Sequence, residues 1–272
     1  MAIFIDWNPL YIRCALCNGL YKQNPTTDTL RHMVLSCILS IKRNFPGNII
    51  IAADSKKSWR KLYYPYYKVK RQQAREISNI NWTELFDHAN TILDEIKTCM
   101  PYITLKIDNT EADDIIAVLT KHIKENHVII SSDKDYKQLV STNTCLYDPI
   151  KKKYHTLMDY NLLDHILQGD SADSIPNILS EDDCIAIGKK QTALTKQKRE
   201  YYKSNAYNTW PEDIQHHYDR NNILINFDNI PTTIQQEIIK EYENYKKVPS
   251  NKLLTYFIEK KLKYLLSDIG MF

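Results

Sequence analysis

The chain has 272 residues, 43% of them hydrophobic, with 36 Lys and Arg against 33 Asp and Glu and a formal charge of +3. This is enough apolar content for one large domain or two small ones. Net charge alone does not announce nucleic acid, and no run of about 18 apolar residues offers a membrane span.

In chain order, Ala2-Ile3-Phe4-Ile5 reads as a buried strand that ends on Asp6. The chain opens on this strand without a basic-then-apolar leader, so a cytoplasmic location is expected, the host cytoplasm if the source is viral. A helix is expected near 28–44, then a strand at 48–53 that runs into Asp54. A helix near 83–98 leads to a strand at 102–107, and a helix over 111–125 leads to a strand at 127–132 that runs into Asp133. A further strand is expected at 144–147 and a helix at 159–168, which delivers the chain to Gly169-Asp170. This alternation argues for an α/β fold with a mainly parallel central sheet flanked by helices. Beyond about 175 the pattern changes, and 231–245 and 250–266 read as helices, each with Pro near its start. The expected organisation is a core over 1–174, with a basic segment at about 55–82, and a mostly helical layer over 175–272 packed on it.

Six cysteines are scattered at 14, 17, 37, 99, 145 and 184. Cys14-Ala-Leu-Cys17 has the spacing of half a metal site or a redox pair, but no second half completes it. Buried reduced thiols are the better reading. Ile, Lys, Asn and Tyr are abundant and only five Gly are present. Such AT-rich codon usage fits a virus or an AT-rich bacterium.

Nine acids sit where strand ends and helix starts bring them together: Asp6, Asp54, Glu111, Asp113, Asp114, Asp133, Asp135, Asp170 and Asp173. Carboxylates at the carboxyl ends of neighbouring parallel strands converge on one crevice. Two like charges about 4 Å apart repel by roughly 4 kcal/mol at an effective dielectric near 20, so such a cluster calls for cations. Hard oxygen ligands suit Mg²⁺ or Mn²⁺, and two divalent ions in an acidic bowl are the usual apparatus of phosphodiester hydrolysis. Taken singly, each motif has a structural alternative. Glu111-Ala-Asp-Asp114 also suits a helix start near the positive dipole end, and Asp133-Lys-Asp135 also suits a cap. Asp170 and Asp173, three residues apart, also suit one helical face.

Residues 55–75 hold eight Lys or Arg, no acid, and five interleaved aromatics. Aromatics beside phosphate-binding cations grip single strands, and a solvated basic helix with its aromatics in the core is the alternative. Position favours the first, because the stretch follows Asp54 directly and is expected to overhang the acidic bowl. Gly188-Lys189-Lys190, with Lys196, Lys198, Arg199 and Lys203, suits either a phosphate-contacting turn or a solvated face. Lys151-Lys152-Lys153 reads as a surface turn.

Together these residues resemble the 5′-nuclease superfamily of flap endonucleases and 5′→3′ exonucleases. Trp59-Arg60-Lys61-Leu62-Tyr63-Tyr64-Pro65-Tyr66-Tyr67-Lys68-Val69-Lys70-Arg71 is similar to the family's aromatic-Arg, Tyr-Pro and Tyr-Lys-x-x-Arg pattern. Glu111-Ala-Asp-Asp114, Ser132-Asp-Lys-Asp135 and Gly169-Asp-x-x-Asp173 resemble its three acidic motifs in order and spacing. Met100-Pro-Tyr-Ile103 and Ile225-Asn-Phe-Asp-Asn-Ile-Pro231 resemble the T-even bacteriophage ribonuclease H type, and the likeness spans nearly the whole chain. The resemblance implies a PIN-like 5′-nuclease fold with a helical arch and a helical C-terminal DNA-binding subdomain. It implies that Asp6, Asp54, Glu111, Asp113 and Asp133 serve a first metal site, and that Asp135, Asp170 and Asp173 serve a second. Asp114 would stand in an outer shell. Lys68 and Arg71 would handle the scissile phosphate and Tyr67 would stack near it. Trp59, Arg60, Lys70, Arg75, Lys189, Lys190, Lys196, Lys198 and Arg199 complete the implied nucleic-acid contacts.

Two departures from the family pattern stand out. Only Gly188 remains of the glycine-rich helix–three-turn–helix, which puts a monovalent cation and the usual duplex grip in question. The N-terminal extension of T-even relatives, tied to sliding-clamp contact, is expected to be missing, and that contact is not expected. The implied activity is a Mg²⁺-dependent 5′→3′ nuclease, with Mn²⁺ as a substitute, acting on DNA and RNA–DNA hybrids with 5′ ends or flaps. A monomer is expected, with a single-strand DNA-binding protein as a partner. The rivals are a PIN-type ribonuclease, whose domains are shorter and lack a long basic arch, and a DxD phosphatase. The phosphatase usually wants Thr or Val where this chain has Lys137. A non-catalytic DNA-structure binder has no evident need for nine acids.

Overall fold

A computed structural model describes residues 1–157, 160–249 and 251–272. The elements are β1 (Ala2–Asp6), α1 (Trp7–Leu16), α2 (Thr27–Asn44), β2 (Asn48–Ala52), α3 (Trp59–Tyr63), α4 (Val69–Glu76), α5 (Trp82–Cys99) and β3 (Ile103–Leu105). They continue with α6 (Ala112–His122), β4 (His127–Ile130), β5 (Thr144–Asp148), β6 (Lys153–His155), α7 (Leu162–Gln168), α8 (Lys196–Ser204), α9 (Glu212–Ile225), α10 (Thr232–Glu243) and α11 (Asn251–Glu259). The expected starts of two helices, at Asp159 and Ser250, lie outside the described residues.

The chain folds into two compact units. The first comprises Met1–Lys56, Asn79–Thr156 and Gln235–Phe272, and the second comprises Lys57–Ser78 and Leu157–Ile234. The units interleave along the chain, whereas the division expected at 174 cuts it once. The physical reason is apolar. Leu253, Tyr256, Phe257, Leu262, Leu265 and Phe272 bury themselves in the core that α2 and α5 make with the sheet, so the chain end belongs to the first unit.

The first unit is built on a six-stranded sheet of order β3-β2-β1-β4-β5-β6. β1 is parallel to both neighbours, with Phe4 opposite Ile50 on one side and Ile129 on the other. Its run Ala-Ile-Phe-Ile-Asp is buried throughout, as a parallel strand covered on both faces requires. The order reverses at β1, which places the carboxyl ends of β1, β2 and β4 side by side at a topological switch point. Helix α1 follows at once. Its buried residues Trp7, Leu10, Tyr11, Cys14 and Ala15 fall at the spacing of one helical face. The Cys14 thiol lies 3.5 Å from that of Cys37 on α2 and not with Cys17, which is exposed. The surface turn expected at Lys151-Lys152-Lys153 is present at 151 and 152, and Lys153 opens β6, a short antiparallel edge strand.

The second unit has two apolar clusters. Tyr64, Tyr67, Ile166, Ile175, Leu224 and Ile225 form one, and Leu167, Ile178, Trp210 and Ile214 form the other. Buried polar groups on α9 stitch them together: Asn221 donates to the carbonyls of Ile166 (2.8 Å) and Pro176 (2.9 Å), and Arg220 donates to Pro176 (3.0 Å).

The chain end of the first unit is fixed by charge as well as by packing. Arg31 is 3% exposed and meets Glu95 at 2.5 Å, and Lys260 meets the same carboxylate at 2.8 Å. The Tyr256 hydroxyl donates to it at 3.0 Å. Burial pushes the Glu95 carboxyl up, yet the hydrogen bonds from Arg31, Lys260 and Tyr256 hold it below its ordinary value. Glu95→Ala leaves Arg31 buried without this partner, and is expected to cost about 3–5 kcal/mol. A depressed folded pKa gives stability that is present above about pH 4.3 and lost as pH falls through the folded value. The variant should lose that share of its acid sensitivity. Urea unfolding at pH 7 and pH 3.5 measures both, and a cost below about 1 kcal/mol at pH 7 would refute the network's role.

Candidate active site

In the first unit the acids gather round one hydroxyl. Tyr136 is 1% exposed, and its hydroxyl donates to Asp6 at 2.9 Å. Burial first, and then the charges of Asp6, Asp113 and Asp133, hold that phenol well above its ordinary pKa. Three of the expected carboxylates therefore lie close enough to share an electrostatic environment, although they come from the ends of β1 and β4 and the start of α6. Asp54, just beyond β2, accepts the Ala112 backbone N–H at 2.8 Å and the Asn8 side-chain amide at 2.6 Å. This ties the end of β2 to the first turn of α6 and to α1. Asp133 accepts the backbone N–H of Asp135 at 3.0 Å, and that short turn aims both side chains from the end of β4.

The two readings of Glu111-Ala-Asp-Asp114 divide by residue. Asp114 is fully buried and accepts the Glu111 N–H at 2.9 Å, which is helix-start chemistry. Glu111 is buried, and Asp113 is half-buried beside Tyr136.

In the second unit Asp173 is the collecting point. The Tyr67 hydroxyl donates to it at 3.2 Å, the Lys68 ammonium stands at 4.0 Å, and the Arg71 guanidinium pairs with it closely. The Lys68 backbone N–H donates to the Asp173 carbonyl at 2.8 Å, and the Lys70 N–H donates to Ser174 Oγ at 2.9 Å. Lys68 adopts φ 58°, a left-handed conformation that side chains rarely take. Asp170, 5% exposed, accepts the Ala172 N–H at 2.8 Å. His165 was not expected from the sequence. It is 8% exposed on α7, with Nε2 3.4 Å from Asp170 and Nδ1 2.7 Å from the Tyr160 hydroxyl. Its signal was available: a histidine five residues before Asp170 lies just over one helical turn from the motif.

The expected nucleic-acid contacts separate by exposure. Lys70, Arg71 and Arg75 lie on α4, a helix with no buried residue, and Lys189, Lys190, Lys196 and Lys198 are exposed. Arg199 is half-buried and faces Asp164 at 3.7 Å. Trp59 and Arg60 differ from expectation. Arg60 is 1% exposed, donates to the Leu224 carbonyl at 2.9 Å, and stacks on the Trp59 ring at 4.7 Å. Both are framework here, because α9 covers the guanidinium. Tyr67 is 3% exposed, so its ring packs in the unit's core and its hydroxyl serves Asp173. The exposed aromatics of this stretch are Tyr63 and Tyr66. Between α7 and α8 the described residues form turns, with the Lys189 N–H closing on the Cys184 carbonyl at 2.8 Å.

Parallel strands that deliver carboxylates to a switch point, together with a basic exposed helix and a Gly-Asp-x-x-Asp turn, define a nuclease of the 5′-end-directed class. The comparisons agree. A family model described as the 5′-3′ exonuclease N-terminal resolvase-like domain matches residues 4–165, and one described as T4 RNase H, C terminal, matches residues 156–272. Ribonuclease H of Enterobacteria phage T4 is 31% identical over 98% of this chain and 94% of that protein. Flap endonuclease Xni of Shewanella denitrificans is 31% identical over 63% of this chain and 68% of that protein. Bacteriophage T5 5′-exonuclease, solved with divalent metal ions (zinc) bound, shares the fold with a TM-score of 0.68 at 17% identity, covering 90% of this chain and 99% of that one. A T5 flap endonuclease complex with DNA and metal ions aligns with a TM-score of 0.64, also at 17% identity, over 90% of this chain and 98% of that one. The chain belongs to the 5′-3′ exonuclease family, in the branch that contains T4 ribonuclease H, and is a phosphodiester-cleaving nuclease.

The turn that presents Asp170 depends on Gly169. Its φ is +65°, and a Cβ there would meet the carbonyl oxygens of Ile175 and Pro176, each at 2.4 Å. Gly169→Ala is expected to lower stability by about 1–3 kcal/mol through backbone strain alone, with cleavage falling as the turn shifts. Thermal unfolding checks the first effect, and an unchanged Tm would show that the turn relaxes freely.

Proposed function

We propose that the protein is a Mg²⁺-dependent 5′→3′ nuclease that removes RNA primers with adjacent DNA and cuts 5′ flaps during replication. The observation that carries this reading is the convergence of strand-end carboxylates on the α6 start, with Asp6 taking the buried Tyr136 hydroxyl at 2.9 Å and Asp54 taking the Ala112 N–H at 2.8 Å. An all-oxygen donor set of this kind fits Mg²⁺, with Mn²⁺ as a substitute. In this reading Asp6, Asp54, Glu111, Asp113 and Asp133 serve one ion, directly or through water. Asp170 and Asp173 serve a second, and Asp135 contributes a further carboxylate. Asp114 acts through the α6 start and not as a ligand. When bound, divalent ions would activate water and offset charge on the departing 3′ oxygen.

The chain's own residues do the rest. Lys68 and Arg71 offset charge on the scissile phosphate, where it builds in the transition state. Their pairing with Asp173 holds both side chains in place before substrate arrives. Tyr67 orients Asp173 through its hydroxyl, so an unpaired nucleotide would meet Tyr63 or Tyr66 instead. The exposed lysines 189, 190, 196 and 198 contact phosphates of the duplex, with affinity that falls as salt rises.

Asp133→Asn is expected to abolish cleavage of 5′-labelled flap, nicked and RNA–DNA hybrid substrates in Mg²⁺ while leaving binding intact. Removing a negative charge does not weaken phosphate contact. Fluorescence anisotropy and a cleavage gel on the same protein decide the matter. Near wild-type cutting, or activity that persists in EDTA, would end the metal reading.

Lys68→Ala should depress the single-turnover rate far more than affinity, and Lys198→Ala the reverse. An interaction made mainly in the transition state lowers turnover with little change in binding. Losing one backbone contact should reduce the salt slope by about 1 unit or less. An unchanged single-turnover rate in Lys68→Ala would remove residues 55–75 from the active site.

A further inference from the structure

His165 is the one imidazole of the second unit placed against a carboxylate assigned above to an ion. Among the described residues of that unit, His217 faces Asp182 at 3.8 Å and the Ile178 carbonyl at 3.0 Å, in the framework of α9. The His165 ring is held by its helix and by Tyr160. It rides on α7, whose N-terminus is capped by Asn161 through the Asp164 N–H at 2.9 Å. Its Nδ1 meets the Tyr160 hydroxyl at 2.7 Å, and the two rings stand edge to face at 90°. Asp170 is equally fixed. Its Oδ1 takes the Ala172 N–H at 2.8 Å, and the Gly169 turn sets its backbone. Its Oδ2 faces His165 Nε2 at 3.4 Å, with both side chains buried.

That separation is longer than the usual N–H···O bond of about 2.7–3.2 Å. It matches the spacing of two donors on one metal ion. With bonds of about 2.1 Å to nitrogen and oxygen, donors 3.4 Å apart subtend roughly 108° at the ion. The outer contact also has the form that metal-bound histidines take. A ligating imidazole gives its second ring N–H to an oxygen acceptor, which fixes tautomer and orientation. Nδ1–H donating to Tyr160 leaves the Nε2 lone pair directed at the Asp170 side.

We propose that His165 is a direct ligand, through Nε2, of the divalent ion held by Asp170, which makes this a mixed nitrogen–oxygen site for a first-row transition ion. Imidazole suits Fe²⁺, Ni²⁺ and Zn²⁺ best, and Mn²⁺ tolerates it as a first-row ion, whereas Mg²⁺ takes oxygen donors. The two ions are then not equivalent. The carboxylates about Tyr136 accept Mg²⁺, and the site on α7 favours a transition ion over Mg²⁺, with affinity rising from Mn²⁺ to the later ions. This rests on the reading of Asp170 as a metal ligand.

Electron spin-echo spectroscopy of the full chain loaded with Mn²⁺, without substrate, tests the proposal, because a directly bound imidazole imprints ¹⁴N modulation on the Mn²⁺ signal. The wild type should show it. His165→Ala should lose it and bind Mn²⁺ at this site at least about 10-fold more weakly. Tyr160→Phe should keep it, with affinity lowered by about 10-fold or less, as expected for an outer-shell partner. Absence of ¹⁴N modulation in Mn²⁺-loaded wild type overturns the proposal without recourse to any variant, and so does modulation that survives in His165→Ala. Asp170→Asn separates the two levels. If it leaves Mn²⁺ binding unchanged, Asp170 is not a ligand and the underlying metal assignment fails with the proposal. If it weakens binding while the wild type shows no ¹⁴N modulation, the assignment stands and only His165 ligation fails.

Discussion

Everything in the first unit answers to the repulsion among carboxylates at the ends of parallel strands. The sheet imposes the problem, since β1, β2 and β4 must end together once their apolar runs are paired in register. The same fold supplies the first part of the remedy. Asp6 receives a hydroxyl from Tyr136, and Asp54 receives an amide from Asn8 and a backbone N–H from the first turn of α6. That turn also brings the positive end of the α6 dipole to Glu111 and Asp113. Protein donors therefore hold the carboxylates in position without discharging them. The negative charge that remains is what a divalent ion requires.

The second unit shows the complementary arrangement, in which cations are held against a carboxylate. Lysine and arginine side chains are long and lose much rotamer freedom when fixed. Here Lys68 and Arg71 converge on one carboxylate, and the backbone of the same stretch is bonded to residues 173 and 174. The left-handed Lys68 is the sign that the stretch is held and does not drift. Gly169 plays the matching part for Asp170, since only a residue without Cβ lets the turn pass so near two carbonyls.

The sheet, the strand-end acids and the family were legible because each depends on local pattern. An apolar run that stops on Asp names both a buried strand and the charge at its mouth. What was not legible depends on contacts remote in sequence. Arg60 and Tyr67 read as nucleic-acid contacts, yet Leu224 and Asp173, 164 and 106 residues away, take their polar atoms. Asp114 had two readings because a helix-start carboxylate and a metal ligand look alike until the acceptor's partner is known. Helix α1 was not anticipated, although the apolar spacing of Trp7, Leu10, Tyr11, Cys14 and Ala15 is present in the sequence.

The same logic decides which basic residues are available to a polyanion. The second half of the chain offers a run of lysines and arginines that look alike in composition. Folding partitions them. Arg199 and Lys203 turn to Asp164, at 3.7 and 2.7 Å, and so staple α8 to α7. Arg220 is buried and pairs with Asp182, while its Nη2 donates to the Pro176 carbonyl and its Nε to the Asn221 side chain. Lys189, Lys190, Lys196 and Lys198 keep their exposure. A net charge of +3 over the whole chain therefore understates the positive charge that these four lysines expose. Part of the acid that balances it is withdrawn into the carboxylate site of the first, and part is spent on internal pairs. A nearly neutral chain can in this way carry a cluster of carboxylates and a set of exposed lysines, since charge segregation and not net charge sets the local field.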